Sequence, residues 1–107
     1  MVINQYDIFW TDLEPTKGSE LKKIRPCVII SPNEMNHNIN TVIIAPLTSR
    51  SKNYPTRVKI TLDGKICWIV LDQIRCIDKL RLNKKAGTLS IENILSVKEI
   101  VKQMLVD

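Results

Sequence analysis

Residues 57–71 read RVKITLDGKICWIVL. Val58, Ile60 and Leu62 alternate with Arg57, Lys59 and Thr61, so one face is apolar and the other polar, as in a half-exposed strand. Asp63-Gly64 follows, a pair that tolerates the left-handed backbone of a two-residue hairpin turn. Cys67–Leu71 then runs apolar without a break, the pattern of a buried strand. This hairpin sets the class as mainly β, and its neighbours extend the reading. Thr41–Leu47 carries Val42, Ile43 and Ile44 and reads as another buried strand. Tyr6–Leu13 is aromatic and β-favouring and ends at the turn signal Glu14-Pro15. Pro26–Ser31 is a short apolar strand, with Pro26 at its first position, where a missing N–H costs least. Pro32–Asn40 is polar and reads as loop. Gln73–Arg81 reads as a turn plus a short helical piece, and a last short strand is expected at Leu82–Lys85, before Gly87.

From Ser90 the period changes. Ile94, Val97, Val101, Met104 and Leu105 recur at helical spacing, Ser90 suits an N-cap, and Glu92 suits the positive end of the helix dipole. Five or more short strands followed by one helix predict a small curled β-barrel with a helical cover.

The chain has 107 residues and no linker, composition shift or internal repeat, which is the size of one domain, residues 1–107. Its apolar runs are too short to span a bilayer. The start, MVINQYDIFW, lacks a basic region followed by an apolar core, so a cytoplasmic location without membrane association is expected. Cys27, Cys67 and Cys76 form no C-x-x-C pair and read as reduced thiols, two of them in apolar runs. With one histidine and no paired ligand spacing, neither a zinc site nor another metal or cofactor is indicated. The net charge of +5 favours a polyanionic partner. The bases are spread along the chain, which fits a folded groove better than a disordered basic arm.

RNA cleavage without a metal needs a group to accept the 2′-hydroxyl proton and groups to stabilise the phosphorane oxygens. Two histidines are excluded by counting, because His37 is alone. A carboxylate with an arginine is the other solution. Glu20 and Arg25 lie on one stretch, TKGSELKKIRPCVIIS (16–31). Arg25 would clamp phosphate oxygens with its fork and Glu20 would act as base; the bland reading is a surface ion pair. Thr48 and Ser49 follow a buried strand and could bind phosphate oxygens or simply cap a turn. Asp72 and Gln73 could read base edges, although Asp72 serves equally well as a structural acid. Phe9, Trp10 and Trp68 are expected to pack in the core, Tyr54 to make a turn contact, and His37 to sit solvated in a loop.

Taken together, DIFWTDLEPTKGSELKKIRPCVIIS, TVIIAPLTS, YPTRVKI and WIVLDQIRCIDKLRL closely resemble the MazF/PemK family of bacterial toxins, from about Tyr6 to the final helix. The resemblance implies a small SH3-like barrel with a C-terminal helix, acting as a homodimer. It implies a metal-independent, sequence-selective endoribonuclease attacking single-stranded mRNA and leaving 2′,3′-cyclic phosphate and 5′-hydroxyl ends. It also implies an antitoxin whose acidic C-terminal tail lies across the RNA-binding surface. Carried over by position, Arg25, Thr48 and Glu20 are the expected catalytic residues. Lys17, Gly18, Ser19, Ser49, Asp72, Gln73 and Arg75 are the expected RNA-binding ones. Ser19 and Val70 stand where PemK-type members have histidine and arginine, so the chain looks closer to the MazF branch. The same barrel also resembles that of gyrase-poisoning toxins, and a non-catalytic RNA-binding module is a third reading.

Overall fold

The computed structural model describes residues 1–14, 17–21 and 23–106. Among the described residues there are seven strands: β1 (Asp7–Asp12), β2 (Ile24–Ile29), β3 (Thr41–Thr48), β4 (Arg57–Leu62), β5 (Lys65–Val70), β6 (Arg75–Asp78) and β7 (Leu82–Thr88). A single helical turn, α1 (Asn33–Asn36), follows β2, and the long helix α2 (Ile91–Leu105) ends the chain. The sheet order is β4-β5-β3-β2-β1-β7, all pairings being antiparallel, with β6 on β3. β3 is the pivot. Its first half pairs with β6 and its last two residues with β5, while residues 44–46 pair with β2 on the other side. One strand feeding two neighbours along one edge curls the sheet into a half-barrel.

The curl explains why β2 and β3 read as continuous apolar runs. Successive side chains point to opposite faces, and here both faces are covered. Ile8, Val28, Ala45 and Leu47 join the core beneath α2, with Val58, Ile60, Ile69 and Leu71. Phe9, Cys27, Ile29, Val42 and Ile44 join a second core, closed by Ile3, Leu13, Ile77 and Leu82. At ~1.5–3 kcal/mol per fully buried large side chain, these two clusters are the main favourable term in folding.

The hairpin is as expected. Asp63 and Gly64 have φ of 51° and 77°, the left-handed pair that a tight turn between right-twisted strands needs. Ser90 caps α2 by accepting the Asn93 amide at 3.2 Å. Ile94, Val101 and Met104 pack on the core beside buried Val97, but Leu105 is 67% exposed. Ile100, also packed there, takes its place on the inner face.

Several boundaries differ from the sequence reading. β2 begins at Ile24, so Pro26 is its third residue, opposite Trp10. β3 runs one residue further and includes Thr48. Residues 33–36 form a helical turn because Asn36 is drawn inward: its amide donates to the Ser31 carbonyl at 2.8 Å and accepts from the Ser31 hydroxyl at 2.5 Å. Residues 75–78 form a strand, held by the first half of β3. β7 continues past Gly87, which pairs with Ile8, while a Cβ there would lie 3.5 Å from Leu62. The Glu14-Pro15 turn involves Pro15, outside the described residues.

Lys23 has φ of 71°, immediately before the strand that carries Arg25. Its amide donates to Glu14 Oε1 at 3.1 Å and its carbonyl accepts from the Leu13 amide at 3.1 Å, so both sides of this residue are tied to the end of β1. A side chain in this conformation costs ~1–2 kcal/mol, which glycine would avoid at the expense of a more flexible unfolded chain. Lys23→Gly is expected to stabilise the fold by about 0.5–1 kcal/mol. A melting temperature below that of the wild type would contradict this reading.

Candidate active site

Arg25 and Thr48 come from the central strands. The β2–β3 ladder ends at Cys27 and Pro46, and Arg25 and Thr48 each lie two residues beyond that end on their own strand. Arg25 pairs with Thr11 across β1. By alternation, Thr11, Arg25, Cys27, Pro46 and Thr48 belong to one sheet face. Two clefts carry the candidate residues. The larger, about 440 Å³, is lined by Arg25, Thr48 and Ser49 together with Trp10, Ile24, Lys65 and Ile66. The smaller, about 210 Å³, is lined by Glu20, Asp72, Gln73 and Arg75 over Leu13 and Pro46.

The expected site residues therefore separate into two groups. Arg25, Thr48 and Ser49 share one cleft, and Glu20, Asp72, Gln73 and Arg75 share the other. Thr48 is 7% exposed, and its hydroxyl accepts from the Arg50 amide and donates to the Arg50 carbonyl, both at 3.2 Å. It caps the turn after β3 and lines the cleft at once. Glu20 accepts the Lys17 amide at 2.7 Å, while the Glu20 amide donates to the Lys17 carbonyl at 3.2 Å. Gly18, at φ 58°, makes that tight turn possible, with Ser19 exposed beside it.

Partners not visible in the sequence hold the second group. Gln73 Oε1 accepts the Leu21 amide at 2.8 Å, and its Nε2 donates to the Ser19 carbonyl at 3.4 Å. Arg75 donates to the Leu13 carbonyl at 3.2 Å, and Arg81 donates to the Glu14 carbonyl. Asp72 accepts from Arg57 Nε and Nη2, each at 3.2 Å, and from the Thr56 hydroxyl at 3.0 Å. Partial burial pushes the Asp72 carboxyl up, but the hydrogen bonds from Arg57 and Thr56 and the Arg57 charge outweigh it, leaving the acid below its usual range. Arg57 also donates to Ser51 Oγ at 2.9 Å and lies 4.9 Å over the Tyr54 ring.

Aromatic placement departs from the expected core packing at two residues, Trp10 and Trp68. Phe9 is buried, but Trp10, on the other face of β1, is 37% exposed in the larger cleft. Trp68 is half-buried and donates to Asn53 Oδ1 at 3.2 Å. His37 is exposed, with Nε2 2.9 Å from the Ile3 carbonyl.

Cys27 lies behind Arg25. Burial pushes its thiol up to about 12, against the lowering effects of Thr11, Arg25 and Arg75. Cys67 is also buried and raised by desolvation, while Cys76 is exposed. A thiol-specific aromatic disulfide is expected to modify Cys76 rapidly in the native protein, and the other two only on unfolding. Fast native modification of Cys27 would contradict the burial described here.

Among the described residues no group of three or more His, Cys, Asp or Glu side chains is placed to hold a metal ion, and no helix is long and apolar enough to cross a membrane. The chain is 31% identical over 100 residues to the endoribonuclease toxin MazF of Escherichia coli K12, covering 92% of this chain and 90% of that protein. Its structure superposes on MazF of Deinococcus radiodurans with a TM-score of 0.88 at 23% identity, over 100% of this chain and 99% of that one. It superposes on a mycobacterial endoribonuclease, solved with its cognate antitoxin, with a TM-score of 0.82 at 18% identity, over 97% and 95% of the two chains. The family model for the PemK-like, MazF-like toxin of type II toxin–antitoxin systems matches residues 4–105, and with the Escherichia coli relative it establishes that this chain belongs to that family.

Proposed function

We propose that the chain is a single-domain endoribonuclease toxin that cuts single-stranded RNA in the cytoplasm without a metal ion. The observation that carries this reading is that Arg25 and Thr48, from two neighbouring central strands, line one cleft together with Ser49. A guanidinium and a hydroxyl on rigid strands form a preorganised phosphate clamp. The ribose 2′-oxygen attacks the adjacent phosphorus, a 2′-O–P bond forms and the P–5′-O bond breaks. The 2′-hydroxyl proton goes to Glu20, whose carboxylate must leave the Lys17 amide and turn from its own cleft toward the Arg25 cleft to take it, and water supplies a proton to the departing 5′-oxygen. Arg25 neutralises charge on the phosphorane oxygens.

Lys17, Gly18 and Ser19 form one wall of the RNA path, Ser49 lies beside the scissile phosphate, and Arg75 contributes charge. The working form is a homodimer. The partner in the resting cell is an antitoxin with an acidic tail, which competes with RNA for the same positive groove. The termini of the products test the chemistry. Fragments should accept a labelled phosphate at the 5′ end without prior phosphatase treatment and should carry a cyclic phosphate at the other end. Fragments with 5′-phosphates would overturn the mechanism.

A further inference from the structure

The short 3-10 turn Leu71–Gln73 between β5 and β6 sends two adjacent side chains to two different loops. Asp72 holds the segment after β3: it accepts from Thr56 and from both fork nitrogens of Arg57, and Arg57 in turn holds Ser51 and covers Tyr54. Gln73 holds the segment before β2, through the Leu21 amide and the Ser19 carbonyl. The turn itself is firmly mounted. Leu71 is fully buried, and its amide donates to the Thr56 carbonyl at 3.2 Å. Segment 17–21 carries Glu20 and leads to Arg25, and segment 49–56 leaves Thr48.

We infer that this turn is a staple that fixes the separation of the two loops beside the cleavage site, and that Asp72, Gln73 and Arg57 are positioning residues instead of readers of RNA bases. The inference rests on the ribonuclease reading above for its catalytic consequence, but not for its structural one. Asp72 takes three donated hydrogen bonds, and Gln73 uses both ends of its amide. Turning either toward a base would leave protein groups without their partners. The Arg57 fork matches the carboxylate with two parallel bonds, which a lysine ammonium cannot reproduce. A displacement of about 1 Å in either loop is enough to cost ~10²-fold in rate.

The test uses the full chain with Asp72→Ala, Arg57→Ala, Arg57→Lys, Gln73→Ala and the Asp72→Ala/Arg57→Ala double variant. Amide hydrogen exchange and single-turnover RNA cleavage in chelator are measured on each. Asp72→Ala and Arg57→Ala should each speed exchange within 49–56 and slow cleavage by about 10- to 100-fold, with the cleavage sequences unchanged and KM little moved. The double variant should be no slower than either single one. Arg57→Lys should behave like Arg57→Ala, and Gln73→Ala should loosen 17–21 instead.

A shifted cleavage sequence in Asp72→Ala, full activity in Arg57→Lys, or wild-type exchange in both loops would overturn the staple. If Asp72→Ala fails to fold, Asp72→Asn keeps the volume and removes the charge, and wild-type exchange in its 49–56 segment overturns the staple equally. Should the wild type cut no RNA, the ribonuclease reading falls while hydrogen exchange still decides the structural role.

Discussion

Arg25→Ala is expected to lose at least ~10³-fold in RNA cleavage, the scale on which a single arginine stabilises charge at a reacting phosphate. Arg25 is the second residue of β2, half-buried, placed opposite Thr11 by strand pairing, and lines one cleft with Thr48. Its backbone is fixed in the sheet, so the charge is mounted on a rigid strand before the reaction begins. The fold should survive, because the core at this point is built by Cys27, Val28 and Ile29. Arg25→Lys should also be strongly impaired, since a lysine offers a point charge without the fork. Single-turnover cleavage together with a thermal melt decides the matter. A well-folded Arg25→Ala variant that cuts at the wild-type rate would remove Arg25 from the mechanism.

Thr48→Ala should raise the barrier by about 2–3 kcal/mol, a loss of roughly 30- to 160-fold, the size of losing one donor to a developing oxyanion. The hydroxyl also makes two hydrogen bonds with Arg50, so a stability cost of about 1 kcal/mol should accompany the loss of rate. Thr48→Ser keeps the hydroxyl and should restore most of both. If Thr48→Ala lost only stability, the hydroxyl would be a turn cap and nothing more.

How far the sequence led can be judged from particular residues. The alternation at 57–62 and the Asp-Gly pair located the hairpin because each pattern is local, and Ser90 marked the helix start for the same reason. β6 was hidden because Arg75-Cys76-Ile77-Asp78 is four residues long and lies between two 3-10 turns, so it is a strand only by virtue of β3 beside it. Trp10 looked like core because it adjoins Phe9, yet adjacent strand residues face opposite ways and its face is the open cleft.

The candidate site shows the same division. Arg25 and Thr48 are singled out by the family resemblance, since taken alone each reads as well as an ion pair or a turn cap, and the structure brings them to one cleft. The partners of Asp72 and Gln73 lie 15 and 52 positions away in the chain, beyond any local pattern. Only the folded structure shows that these polar side chains are occupied by neighbouring loops. The split of the expected residues between two clefts has the same origin, since it depends on the path of segment 17–21.

The most direct measurement of the central claim is cleavage of a long RNA by the purified protein in excess EDTA, followed by mapping of the new 5′ ends. Discrete cuts at a recurring short sequence, unchanged when magnesium is added, are the predicted result. RNA left intact in EDTA but cut once magnesium is supplied would contradict it.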